Sequence, residues 1–385
     1  MKWTKFTITI FFCMAMAVLS ACHSKKADEP VAPREPASRT VLVYMVASNN
    51  MGSGGWDKAD LNEMLEAAKA GDLGQGRLIV YHAPYNGNPV LKEVTANGID
   101  TLKIYDSDVA NVSKARLSEA IADTKALAPA ADYGIIFWSH GTGWIQDGIA
   151  EEAPAGMAYS FGSDKGKKMN VTSMAQTLDG QDLSFIYFDC CYMGSVEVMY
   201  QLRHAAPVIA SSPTEDPIAG MPYDKTLSHF FLPAKADLVG AAQEMFNHYM
   251  LTYQRYDCPV TMTVINTAGL DELAAATADI YASVETPKPA DYQPQKYSAD
   301  RTCYYFDFED YVKALGADNE AVAQWSNAYA NVVTYKAHSD WIWGDIAITR
   351  CGGLSTYILE NPASAAIKGY SQLDWYADVA SKFFE

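Results

Sequence analysis

The stretch Ser184 to Tyr200, SFIYFDCCYMGSVEVMY, limits what this chain can fold into more than any other. Phe185-Ile186-Tyr187-Phe188 is an unbroken apolar, β-branched and aromatic run of strand length, as expected of a strand in a sheet buried on both faces. Asp189, two cysteines and Gly194 end the run, and Ser195-Val196-Glu197-Val198 opens a helix. Open α/β sheets are built from strand, turn and helix in that order, and they bind ligands beyond the carboxyl ends of their strands. A thiol at this turn would stand at that rim, where the following helix N-terminus favours thiolate. Asp189 and Cys191 are two residues apart, so extended chain sends both to one side and turns Cys190 to the other, as a small buried hydrophobe.

A cysteine nucleophile needs a base, and Ala131 to Trp144, ADYGIIFWSHGTGW, supplies a candidate. Ile135-Ile136-Phe137-Trp138 reads as a second buried strand with Ser139-His140-Gly141 at its carboxyl end. Adjacent parallel strands would bring His140 to the same rim as Cys191. The backbone N–H groups of Gly141 and Cys191 could then hold an oxyanion. Further strands are expected at Arg77 to Tyr81, Val208 to Ala210 and Val260 to Ile265. A hairpin is expected over Val90 to Tyr105, turning at Asn97-Gly98. Helices are expected over Ala115 to Leu127, Ala236 to Tyr253, 268–284 and 318–335. Strands alternating with helices call for a mostly parallel sheet covered on both faces.

SHGTGW followed by DCCYMGSVEV resembles the clostripain-like cysteine peptidases, relatives of caspases, gingipains and legumains. The resemblance extends to Thr40-Val41-Leu42-Val43-Tyr44-Met45 as a first strand and to Asp60-Leu61-Asn62-Glu63-Met64 as the helix after it. It also covers Ala210-Ser211-Ser212 and a late strand at Gly353 to Tyr357. It implies a caspase-like α/β fold over residues 39–385, with accessory C-terminal elements, a His140/Cys191 dyad, and Asp189 in an S1 pocket that accepts Arg or Lys. It also implies self-cleavage after a basic residue in an exposed loop at Gly162 to Lys168, with Lys165, Lys167 and Lys168 as the candidates. The chain departs from the family at Cys190, at Ser48-Asn49-Asn50, and at Ser212-Pro213-Thr214-Glu215-Asp216.

Lys2 and Lys5 precede a short apolar run, Phe6 to Ala21, which reads as an export signal. Leu19-Ser20-Ala21-Cys22 resembles a bacterial lipobox, implying cleavage before Cys22 and lipidation of its thiol. Residues 22–38, rich in Pro, Ala and charge, read as a lipidated flexible tether. The expected setting is therefore the bacterial cell envelope, with membrane attachment through the anchor. A formal charge of −17 argues against nucleic acid and favours cationic protein or peptide substrates. No cofactor is expected for the chemistry; no zinc motif or calcium loop is present, although the family resemblance leaves Ca2+ open. Two other classes fit parts of the sequence: a lipid-anchored peptide-binding protein without turnover, and a dithiol protein using Cys190-Cys191. An intact His140/Cys191 pair disfavours the first. The strain of a vicinal disulfide ring disfavours the second.

Overall fold

The structure is a computed structural model, and it describes residues 34–145, 160–164, 166–253, 259–284, 293–299 and 303–384. The expected signal, Cys22, most of the tether, Lys165 and Cys258 lie outside the described residues. In chain order the strands are β1 (Thr40–Val46), β2 (Arg77–Ala83), β3 (Val90–Thr95), β4 (Gly98–Ile104), β5 (Tyr133–Trp138), β6 (Phe161–Asp164), β7 (Lys167–Met169) and β8 (Phe185–Asp189). After these come β9 (Val208–Ser211), β10 (Thr261–Asn266), β11 (Phe306–Asp307), β12 (Val333–His338), β13 (Trp341–Ile342), β14 (Ile346–Ala347) and β15 (Ser355–Thr356).

Nine of these form one sheet in the order β12-β10-β9-β8-β5-β1-β2-β3-β4. Its central strands β9, β8, β5, β1 and β2 are mutually parallel, and antiparallel strands extend it at both edges. Alternation along β1 shows how the sheet gains a core on each face. Val41, Val43 and Met45 pack with Leu61 and Met64 of the helix Trp56–Ala70 and with Leu227 and Phe230 of the helix Tyr223–Phe230. Leu42, Tyr44 and Val46 face the opposite core, with Leu117 and Ile121 of Lys114–Leu127 and Leu270 and Leu273 of Leu270–Ser283. Each such side chain, fully buried, contributes roughly 1.5–3 kcal/mol, which is why the central runs are apolar without interruption.

Three local expectations are revised. The helix expected over 318–335 ends at Val332, and Val333–His338 turns out as the edge strand β12, antiparallel to β10. The late stretch 353–357 supplies only Ser355–Thr356, paired with β11 outside the main sheet. The expected loop 162–168 is in part a hairpin of β6 and β7, because Asp164 is buried, accepting hydrogen bonds from the Ser48 hydroxyl (2.8 Å) and the Asn111 N–H (2.7 Å). The hydrogen-bonded body begins ahead of residue 39, with Ala37 N–H donating to Pro129 O and Ser38 N–H to Gln75 O.

Candidate active site

The site is set by sheet register. β5 and β8 are parallel neighbours with Trp138 opposite Asp189. His140 lies two residues past Trp138 and Cys191 two past Asp189, so both leave the sheet at the same level from strands about 4.8 Å apart. Contact between the two loops is close: a Cβ at Gly141 would come within 2.4 Å of the Cys191 carbonyl oxygen, so only glycine fits. A bridge between Gly141 and Phe161 runs through Gly162 N–H to His140 O and Thr142 N–H to Ser160 O. In that arrangement Gly141's own N–H points away from Phe161, toward the Cys191 side.

The turn after Cys191 is clamped from two directions. Tyr192 N–H donates to Thr214 O and Gly194 N–H to Ser212 O, both at 2.7 Å. Tyr192, held at φ +60°, stacks on Tyr305 with ring centroids 4.2 Å apart, and the Tyr305 hydroxyl donates to Thr142 O on the His140 loop. Behind the turn, Glu197 is fully buried and accepts from the Thr356 hydroxyl, the Tyr357 N–H and the Tyr370 hydroxyl, tying the helix Val196–Gln201 to β15. Cys190 lies in the core with its Sγ 3.1 Å from Phe137 O.

The electrostatics differ from the sequence expectation of a thiolate at a helix end. The helix Val196–Gln201 starts five residues beyond Cys191, and its first turn is capped by the Ser195 hydroxyl, so the thiol does not sit on its N-terminus. Burial, and then the Asp216 carboxylate, push the Cys191 thiol well above its usual range. Burial and then the charge of Lys168 lower His140. Both effects oppose a thiolate–imidazolium ion pair. His140 is oriented by a residue on a third strand end: its Nε2 lies 2.6 Å from Asn50 Oδ1, just after β1. An amide oxygen can only accept, so Nε2 carries the proton and Nδ1 is left as the basic nitrogen.

Asp189 is buried under the loop 217–223. Met221 N–H and the Tyr223 hydroxyl each donate to its carboxylate at 3.0 Å, and Gly220, at φ +68°, lies so close that a Cβ would sit 3.0 Å from Oδ2. Burial pushes Asp189 up to about 6 despite these donors. Asp216, beside Cys191, has its backbone N–H 3.4 Å from the Cys191 Sγ. Its side chain is buried, and neither carboxylate oxygen accepts a hydrogen bond, since the nearby Ser212 hydroxyl is aligned on Thr214 and Thr261. Burial and the charge of Asp189 raise it well above the ordinary carboxylate range. Asp60, pushed up to about 9 by burial, and Glu63, which accepts from Tyr223 N–H, continue this group of carboxyls beneath the strand ends.

The structure thus gathers His140, Gly141, Asp189 and Cys191 at one rim. Lys167 and Lys168 lie on β7, Lys167 exposed and Lys168 close enough to act on His140. Sequence reasoning missed the role of Asn50 in holding His140 and the buried pairing of Asp216 with Asp189. Both residues stand at positions where the chain departs from the family pattern, and that was the available signal. Among the described residues, no group of three His, Cys, Asp or Glu side chains could hold a metal ion.

A family model described as the clostripain family matches residues 43–381. This chain belongs to the clostripain family. A secreted C11 cysteine protease from Bacteroides thetaiotaomicron, solved with an irreversible peptide inhibitor, is similar at 27% identity and TM-score 0.76, covering 89% of this chain and 98% of its own. An inactive zymogen C11 protease from Parabacteroides distasonis is similar at 27% identity and TM-score 0.78, covering 90% and 99%. No curated protein matches the chain. Family and structural likeness together make this clostripain-family chain a cysteine protease acting on protein or peptide substrates. No helix among the described residues is long and apolar enough to cross a membrane.

Proposed function

We propose that this clostripain-family protease cleaves peptide bonds after Arg or Lys, using Cys191 as nucleophile and His140 as base. The observation that carries this reading is the shared register of Trp138 and Asp189, which sets His140 and Cys191 at equal heights on adjacent strands. Nδ1 of His140 takes the thiol proton as Sγ attacks the carbonyl carbon, giving a tetrahedral oxyanion held by the N–H groups of Gly141 and Cys191. Collapse of this intermediate expels the amine, which receives the proton from His140 and leaves a thioester that water hydrolyses.

Selectivity comes from paired buried carboxyls. The charge of Asp189 raises the proton affinity of Asp216, because two like charges in one dry site repel. A guanidinium or ammonium supplies the missing counter-charge, and Arg can span two carboxylates. The Asp189 oxygens already hold Met221 and Tyr223, so Asp216, whose oxygens have no partner, makes the first contact and Asp189 supplies charge behind it. A neutral P1 side chain would leave that charge unpaired, at a cost of several kcal/mol.

The shifts that oppose an ion pair and the covered Asp189 fit a precursor form, and the P. distasonis relative was solved as an inactive zymogen. Self-cleavage after Lys165, Lys167 or Lys168 would free the hairpin that holds Lys168 near His140. Export and lipidation at Cys22 would place the enzyme on the cell envelope. The test is hydrolysis of fluorogenic peptides ending in Arg, Lys, Asp, Asn or Phe by protein starting at residue 35, beside Cys191→Ala. Cleavage after Arg and Lys that vanishes in the variant supports the reading. No cleavage by either protein, even after limited nicking of the hairpin, would leave a peptide-binding protein in its place.

A further inference from the structure

A cavity of about 100 Å3 opens beside the nucleophile turn, lined by Tyr192, Glu215, Ser298, Ile342, Trp343 and Asp345. It adjoins the site at two points, since Tyr192 follows Cys191 and Glu215 precedes Asp216. Glu215 joins its aromatic walls: the Tyr192 hydroxyl donates to one carboxylate oxygen at 3.3 Å and the Trp343 indole N–H to the other at 2.9 Å. A carboxylate has about four accepting positions, so two such donors leave it able to bind a further cation. Asp345 stands exposed on the turn between β13 and β14, at the mouth of the same cavity.

Trp343 has no role in the core. It is 41% exposed and held at φ +53°, in the left-handed region that side chains other than Asn, Asp and Gly rarely occupy. A large ring kept in solvent by strained backbone is a surface presented to something else. The cavity opens to solvent, so a long side chain can lay its alkyl stem along the wall and keep a charged head at the mouth. Two carboxylates and an indole face, with no Lys or Arg in the lining, select a cation.

We propose that this cavity is a second cationic subsite, which binds an Arg or Lys side chain of the substrate within two residues of the P1 position. The cation sits between Glu215 and Asp345 with its stem against Trp343. This inference rests on the peptidase reading, and it makes the preferred substrate a peptide with two basic residues close together. The chain itself carries that pattern at Lys167-Lys168.

The test uses peptides with Arg at P1 and Arg, Ala or Glu placed in turn at each of the two positions on either side. The wild-type protein should cleave one flanking-Arg peptide about tenfold faster in kcat/KM than its Ala counterpart, and its Glu counterpart more slowly still. Glu215→Gln and Trp343→Ala, each normalised to its own rate on the Ala peptide, should reduce that ratio to about twofold or less. A flat wild-type profile, or a ratio that survives both substitutions, overturns the subsite. Binding of the same peptides to Cys191→Ala, followed by tryptophan fluorescence, separates the two readings. A flanking-Arg preference in binding without any turnover by wild type would refute the peptidase and retain the subsite, whereas turnover without such a preference would do the reverse.

Discussion

Replacing Asp189 by Asn should make this protein more stable at neutral pH while removing the selectivity for basic residues proposed above. An aspartate in the unfolded chain ionises near its ordinary value of 3.8, and burial raises Asp189 in the fold to about 6. Between those values the folded protein keeps a proton that the unfolded chain has lost. Stability therefore declines as pH rises through this window, and above pH 6 the full penalty applies. Two units of difference amount to about 3 kcal/mol. Asn has the same shape, keeps an acceptor for Met221 N–H, and can donate to the Tyr223 oxygen, so the packing survives while the charge does not. Losing that charge also relieves Asp60 and Asp216, both of which it pushes up. In a Cys191→Ala background, which excludes the proposed self-cleavage, calorimetry should show Asp189→Asn melting several degrees higher at about pH 7.5 and level with its parent near pH 3.5. A difference that does not change with pH, or a less stable Asn variant at neutral pH, would refute this account of the buried charge.

Three further outcomes follow from the same geometry. Asn50→Ala removes the acceptor on His140 Nε2, a bond that strengthens when the ring becomes charged, so kcat should fall about 10- to 100-fold with KM little changed in steady-state assays. Lys168→Ala removes a positive charge that lowers His140, so the acidic limb of the pH–rate profile should move to higher pH. Glu197→Leu leaves three buried donors without an acceptor and should cost about 3 kcal/mol in urea unfolding, with Glu197→Gln recovering part of the loss.

How far the chain could be read in advance depended on whether a signal was local. β5 and β8 were legible because Ile135 to Trp138 and Phe185 to Phe188 are apolar without a break, as strands buried on both faces must be. β12 was not, because Val333–His338 continues a helix without a glycine or proline between them, and its strand state comes from pairing with β10 some seventy residues away. The β6–β7 hairpin, polar and glycine-containing, has the composition of a loop, yet Asp164 is fixed by Ser48 and Asn111 from distant parts of the chain. The Asp60, Glu63, Asp189 and Asp216 group was hidden for a related reason. Acidic residues three apart on a helix usually mark its solvated face, and here Trp138 of β5 meets Asp60 and the start of the helix Tyr223–Phe230 meets Glu63 instead.

The upward push on the Cys191 thiol bears on how long the molecule can last. Peroxide and most alkylating agents react with thiolate, so desolvation and the nearby Asp216, which both disfavour thiolate at this half-buried sulfur, should slow its oxidation. Cys190, deeper and also pushed up by burial, is protected in the same way, and neither thiol offers the other a reactive partner. A sulfur held back in this way should stay intact longer in the presence of peroxide, and the same effects that protect it lower its reactivity toward substrate.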